Sequence, residues 1–258
     1  KILLFREQGY GDIIQFSRYA PLVAAAAKET TLWVDTPLER LMAHSFSMRV
    51  EGGNRVPEGS YDVACALMSL PYWLHTTEAT IPAQVPYLFA PSDLVAAWGR
   101  KLASKVEGEK LRVGVVWAGN PKHKNDANRS VAIQSFQDLF ALQDVFWVSL
   151  QEGARAKELQ KAACSVWDVS AELSDFAETA ALIANLDLVI AADTAVAHLA
   201  GAMGKETWVL LPYIAEWRWQ LQREDTPWYP TMRLFRQRQP GDWLEVLGRV
   251  KEELLKKL

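Results

Sequence analysis

Asp193, Thr194 and His198 stand together at the end of an apolar run. Residues 186–192 are apolar and end at Asp193-Thr194. A small-residue segment, 195–203, follows and stops at Gly204. A second apolar run, 207–211, stops at Pro212. This succession predicts strand, helix, strand, one βαβ unit. The three polar residues then lie at the carboxyl end of the first strand and on the first helical turn, the edge where open α/β sheets bind ligands. The free N–H groups and dipole of the helix start favour an anion there, phosphate above all. His198 follows Thr194 by one helical turn and points to the same edge, so it is read as a ligand contact.

Two further stretches carry chemistry. Residues 118–130 form the most polar part of the chain and follow a predicted strand at 111–117. Lys122, His123, Lys124 and Arg129 suit a diphosphate, with Arg129 as a bidentate fork and a lysine as a point charge. Asn120 on this loop and Gln151, in the turn after a strand at 145–150, join Lys124, Arg129, Asp193, Thr194, Ala195 and His198 as candidate ligand-binding residues. The second stretch is Gly9-Tyr10-Gly11-Asp12, between a strand at 2–5 and a helix. Its glycines allow a tight turn and close approach of a ligand. The dinucleotide pattern is incomplete, because Ile14 stands where a small residue is required, and this argues against a dehydrogenase. Asp12 is either the helix N-cap or a general base at the site edge. The two roles combine poorly, since a capping carboxylate is stabilised as an anion.

The elements that must hold these residues form two βα arrays. In the first, a strand at 2–5, a helix at 13–27, a strand at 31–34, a helix from Pro37 to His44 and a strand at 61–67 are separated by a loop at 51–60. A proline-rich surface loop (76–92) and a helix (94–105) lead to a charged linker at 106–110. In the second, strands at 111–117, 145–150 and 165–168 alternate with helices at 133–142, 154–163 and 176–184, and the βαβ unit follows. An amphipathic helix at 243–258, with Asp242 as N-cap, closes the chain. The expected architecture is therefore α/β: two Rossmann-like doubly wound domains facing across a cleft, at 1–105 and 111–240. No repeat of solenoid period is present.

Of the eleven tryptophans, Trp73, Trp98, Trp117, Trp147, Trp167 and Trp208 fall on apolar segments and are expected in the core. Trp217, Trp219 and Trp228 lie in a polar stretch, where stacking on sugar rings and interdomain packing are both open. The net charge of −3 gives no general attraction to nucleic acid. No apolar run reaches the roughly 18 residues of a membrane span. Cys65 and Cys164 are isolated, read as buried free thiols in a reducing cytosol. No Cys or His pair has zinc spacing, and no Asp-x-Asp pair is present, so no metal or cofactor is expected.

Taken together, Glu7 to Phe16, Val116 to Pro121, Lys124 to Asp126, Asn128 to Ser130, Asp193 to Gly201, Asp225 to Pro230 and Arg233 to Gln237 resemble the glycosyltransferase family 9-like proteins, the heptosyltransferase superfamily. The resemblance is strongest to the catalytic region of bacterial TPR-containing glycosyltransferases. It implies a GT-B fold, a cytoplasmic enzyme, and an N-terminal helical-repeat region ahead of Lys1, where the chain enters a strand with no initiator Met. It also implies that the last helix crosses back onto the first domain, that Asp12 is the general base, and that Asp193, Thr194 and His198 bind the donor. On that reading Asn120, Lys124, Arg129, Gln151 and Ala195 are further donor-binding candidates, and Gly11, Gln15 and Trp217 are candidate acceptor or sugar contacts. Ala195 departs from the glycine of many heptosyltransferases, which leaves a donor other than ADP-heptose open. The expected reaction is inverting, metal-independent transfer from a nucleoside-diphosphate sugar to a hydroxyl of a carbohydrate, lipid-linked sugar or protein acceptor. A non-catalytic nucleotide or sugar-binding module is one alternative. A nucleotide-sugar epimerase or hydrolase is the other.

Overall fold

A computed structural model describes residues 1–162 and 164–258. The first sheet holds β1 (Ile2–Phe5), β2 (Thr30–Val34), β3 (Arg49–Gly52) and β4 (Val63–Ala66) in the order β3-β2-β1-β4. The second holds β5 (Leu111–Val116), β6 (Val145–Ser149), β7 (Val166–Asp168), β8 (Leu188–Ala192), β9 (Thr207–Leu211) and β10 (Met232–Arg236) in the order β10-β9-β8-β5-β6-β7. Every pairing is parallel. The strand order reverses between β1 and β4 and again between β5 and β8. Those two switch points are where a doubly wound sheet opens a crevice. The helices are α1 (Tyr10–Phe16), α2 (Ala20–Ala26), α3 (Thr36–Ser45), α4 (Leu70–Trp73), α5 (Ser92–Ala103), α6 (Asp126–Arg129), α7 (Gln137–Phe140), α8 (Phe176–Ala184), α9 (Ala195–Ala202) and α10 (Trp243–Leu255).

Side-chain alternation along the second sheet explains its two covers. Val113, Val115, Leu188, Ile190, Trp208 and Leu210 point to one face, against Ile133, Phe136, Phe140 and α10. Val116, Val189, Ala191, Val209 and Leu211 point to the other, into a core that continues into the first half through Ile13, Phe16, Leu38 and Trp98. The halves therefore share apolar packing: α1 lies on α9, and α3 and α5 lie on α8. Polar contacts lock the same seam. Trp98 Nε1 donates to Glu178 at 2.8 Å, Asn185 Nδ2 donates to Val95 O at 2.9 Å, and Arg40 pairs with Asp175 and Glu178.

Several expectations need correction. The helix expected over 13–27 starts at Tyr10 and breaks into α1 and α2, because Pro21 has no N–H to continue the ladder. The loop expected at 51–60 begins as edge strand β3, and β10 was not anticipated. The segment 154–163 is a 3-10 run over Gly153–Lys161, and Ala163 lies outside the described residues. The connection 76–92 is laid onto the second half: Tyr87 and Leu88 donate N–H to Ala202 O, and Leu88 is buried. Trp73 is exposed rather than core, since α4 is a single short turn with no facing layer; Trp98, Trp117, Trp147 and Trp208 are buried. Cys65 and Cys164 are half-buried free thiols. The final helix does not cross back onto the first half. Its stripe of Val246, Leu247, Val250 and Leu254 packs under the second sheet, where Phe235, Phe136 and Phe140 offer a complementary apolar face. Asp242 caps it, accepting from Glu245 N at 3.1 Å.

Candidate functional site

The site forms where the starts of α1 and α9 meet, at the carboxyl ends of β1 and β8. Gly9 is the N-cap of α1, so Asp12 is not. It is the third helical residue, and its Oδ2 accepts from Gly9 N at 3.1 Å in a capping box. A side chain at Gly11 would put its Cβ 2.9 Å from His198 Cδ2 and 3.6 Å from Ala195 Cα. Gly11 is thus a close-packing residue between the two helix starts.

Arg218, which the sequence did not single out, joins the halves. Its Nη2 donates to Asp12 Oδ1 at 2.7 Å and its Nη1 donates to Gln15 Oε1. It lies on the turn Trp217–Trp219. Arg236 Nη2 holds that turn by donating to the carbonyls of Trp219 (3.0 Å) and Gln220 (2.7 Å). Gln220 and Gln222 both take left-handed backbone, at φ 49° and 56°, a strain that surrounding contacts must hold.

On the other side, Asp193 and His198 are buried, at 6% and 3% exposure. His198 Nε2 lies 3.9 Å from Asp193 Oδ1, and its Nδ1 is 2.9 Å from the Tyr229 hydroxyl. The imidazole stacks on Trp219 with centroids 5.3 Å apart. Burial holds His198 well below its ordinary pKa, and the cations Arg218, Arg18 and Arg129 push the same way, so the ring is neutral. Burial raises Asp193, opposed by the charges of Arg218 and Arg129. Arg129 Nη1 donates to Asp193 O at 3.2 Å. Its guanidinium packs so closely on Gly119 that a Cβ there would lie 2.6 Å from Nη2.

The expected site residues separate into two groups. Asp12, Gly11, Gln15, Arg129, Asp193, Thr194, Ala195 and His198 come together between the halves. Lys124 and Asn120 stay exposed on the loop after β5, and Asn120 Oδ1 accepts from Lys122 N at 3.0 Å in a local turn. The Gln151 amide bonds backbone: its Oε1 accepts from Ala118 N at 2.9 Å, and its Nε2 donates to Ala118 O at 3.0 Å and to Glu152 O at 3.4 Å. It ties the start of the loop after β5 to the end of β6. Trp217 is exposed, edge-on to Trp228 and beside the Arg218 guanidinium. Trp219 and Trp228 are buried at the seam, so for these two the packing alternative holds.

Five polar atoms around this seam are buried with no hydrogen-bond partner among the described residues: Gln15 Nε2, Arg129 Nε, Arg218 Nε, Trp219 Nε1 and Thr194 Oγ1. Four are N–H donors and the fifth is a hydroxyl that can donate. Leaving such groups unpaired costs about 1–3 kcal/mol each, so the arrangement favours a ligand rich in acceptor oxygens. Among the described residues no group of three or more His, Cys, Asp or Glu side chains gathers as a metal site. No helix among them is long and apolar enough to cross a membrane.

Comparisons with known proteins bear on the family and the fold. Residues 144–220 match the model of Glycosyltransferase family 9 (heptosyltransferase). The chain is 27% identical to Protein FlbA of Caulobacter vibrioides over 97% of its own length, and spans 45% of that curated relative. Among solved structures it resembles the glycosyl transferase family 9 protein of Veillonella parvula, with TM-score 0.65 and 9% identity over 99% of this chain and 89% of that one. It also resembles the E. coli heptosyltransferase WaaC with ADP, with TM-score 0.59 and 11% identity over 100% and 99% of the two chains. A third likeness is the iron-containing dodecameric glycosyltransferase TibC of enterotoxigenic E. coli, with TM-score 0.58 and 12% identity over 95% of this chain and 65% of that one. These solved structures share the two-sheet GT-B architecture. The family match covers residues 144–220, and the fold likeness to these glycosyltransferase structures runs along nearly the whole chain.

Proposed function

We propose that the chain is the catalytic part of an inverting, metal-independent glycosyltransferase that uses a nucleoside-diphosphate sugar. The observation that carries this reading is the set of buried, unpaired donors between α1 and α9. A diphosphate and a sugar ring supply the acceptor oxygens they lack. Thr194 and the start of α9 suit the phosphates, and Arg129 and Arg218 supply fixed positive charge. Asp193 suits a sugar hydroxyl, and the exposed Trp217 indole suits a sugar face at the rim.

In the reaction so read, Asp12 takes the proton of the acceptor hydroxyl. The oxygen attacks the anomeric carbon from the face opposite the leaving nucleoside diphosphate. Arg129, Arg218 and the α9 start stabilise the charge that develops on the leaving group, each donor worth about 3–4 kcal/mol where it is aimed at the transition state. Arg218 takes the part expected of Lys124, which stands exposed. The acceptor class, a carbohydrate, a lipid-linked sugar or a protein, is set by the surface around Trp217.

The test is a thermal-shift and titration series with nucleoside diphosphates and their sugars. One base should raise the melting temperature of the wild type, and Arg129→Ala should lose that response while keeping its circular dichroism. Absence of any shift across the series refutes the reading. The pairing of both Asp12 oxygens, one with Gly9 N and one with Arg218, favours a second reading: a binder without turnover. Asp12→Asn separates the two, because an enzyme keeps nucleotide affinity and loses transfer, whereas a binder has no transfer to lose.

A further inference from the structure

We infer that the Tyr229 hydroxyl sets the tautomer of His198, so that the ring carries its hydrogen on Nε2 and presents it beside Asp193 to a ligand oxygen. Tyr229 is then a positioning residue for the site. The use made of that hydrogen rests on the nucleotide-sugar reading; the tautomer itself does not.

A neutral imidazole has one N–H donor and one bare nitrogen acceptor. Nδ1 lies 2.9 Å from the Tyr229 oxygen, and both side chains are buried. His198 Nδ1 is the one partner with which the Tyr229 hydroxyl makes a hydrogen bond of normal geometry among the described residues. The neighbouring phenol, Tyr87, already has its partners: it donates to Ile14 O at 3.0 Å and accepts from Arg18 Nη2 at 3.1 Å. Were Nδ1 to carry the hydrogen, the buried Tyr229 O–H would have to leave its 2.9 Å partner for the poorly placed Tyr87 oxygen, which already accepts from Arg18, and a buried donor without a well-placed acceptor is costly. The satisfied arrangement is Tyr229 O–H donating to Nδ1, which leaves the hydrogen on Nε2.

Neighbours hold both rings in place. The Arg18 guanidinium lies 4.5 Å from the Tyr229 ring centroid. Arg18 is itself anchored on Gln15 O at 2.8 Å and Trp228 O at 2.6 Å. Trp219 stacks on the imidazole. Burial keeps Tyr229 far above its ordinary pKa and His198 far below its own, so neither group changes charge near neutrality. The separation of 3.9 Å between Nε2 and Asp193 Oδ1 exceeds a direct hydrogen bond, so the Nε2 hydrogen is left for a third group.

Nitrogen NMR on histidine-labelled protein reads the tautomer directly. The chain has four histidines, and the signals that vanish in His198→Gln belong to His198. The expected wild-type pattern is a protonated Nε2 and a bare, hydrogen-bonded Nδ1. In Tyr229→Phe the Nδ1 signal should lose its hydrogen-bond shift and the two tautomers should mix. Affinity for the nucleoside diphosphate should fall about tenfold with circular dichroism unchanged. A wild-type His198 protonated on Nδ1, or a Tyr229→Phe spectrum identical to wild type, overturns the proposal. If Tyr229→Phe does not fold, the wild-type spectrum still decides. If the wild type binds no nucleotide while the tautomer is as expected, the ligand role falls and the positioning by Tyr229 stands.

Discussion

Arg218 ties Asp12 and Gln15 of one half to the turn that carries Trp219 of the other. Its two nitrogens work as a fork, which an ammonium cannot copy. Arg218→Ala strands a largely buried carboxylate and should cost roughly 3 kcal/mol of stability; Arg218→Lys should recover stability only in part and nucleotide affinity hardly at all. Urea unfolding and nucleotide titration of both variants check this. The two buried titratable groups act in opposite senses with pH. His198, depressed by burial and then by Arg218, Arg18 and Arg129, is neutral when folded but takes a proton near its ordinary value of 6.5 when unfolded. Its contribution is complete above that value and declines as pH falls below it, by up to about 1.4 kcal/mol per pH unit. His198→Gln should flatten the loss of stability seen in wild type between about pH 7 and pH 5, as read from urea midpoints. Asp193 is raised by burial, so its contribution is present at acid pH and is lost as pH rises through its folded value. Asp193→Asn should therefore raise the melting temperature at neutral pH while cutting transfer at least about tenfold.

The start of α1 is built to touch the start of α9. Gly9 caps the helix, Asp12 closes the capping box, and Gly11 leaves room for His198. In Gly11→Ala the new methyl meets a ring that cannot retreat, because Trp219 stacks on it and Tyr229 bonds its Nδ1. The variant should lose about 1–3 kcal/mol by overpacking and weaken nucleotide binding further, as calorimetric melting and titration will show. Gly11→Ala behaving like wild type in both measurements would mean that α1 and α9 do not meet this closely in solution.

At the scale of the molecule, the apolar layer that covers one face of the second sheet also belongs to the first half. The halves should unfold in one transition. Trp98 sits in that layer, 2% exposed, against Trp167 and bonded to Glu178. Trp98→Ala should cost about 3–5 kcal/mol and shift tryptophan fluorescence and far-ultraviolet circular dichroism together in guanidinium. Two separated transitions would contradict a shared core.

The α/β class, the βα alternation and the polar residues at strand ends were legible along the chain, because each is a short-range pattern: apolar runs of strand length, a glycine turn, a helix opening on Asp193-Thr194. Amphipathicity likewise marked 243–258 as a packing helix, but left its partner undefined. Which surface it covers depends on shape complementarity with Phe136, Phe140 and Phe235, which periodicity does not encode. The same holds for individual side chains. Gln151 reads as a ligand group, and only the fold shows its amide bonded to the Ala118 backbone, while Trp73 reads as core and lies exposed. Arg218 reads as one arginine among many, yet it meets Asp12 across 206 residues of chain. A side chain's type limits what it can bond. Only the folded arrangement of groups distant in the chain selects which of those bonds forms, since burial and alignment are properties of the assembled seam.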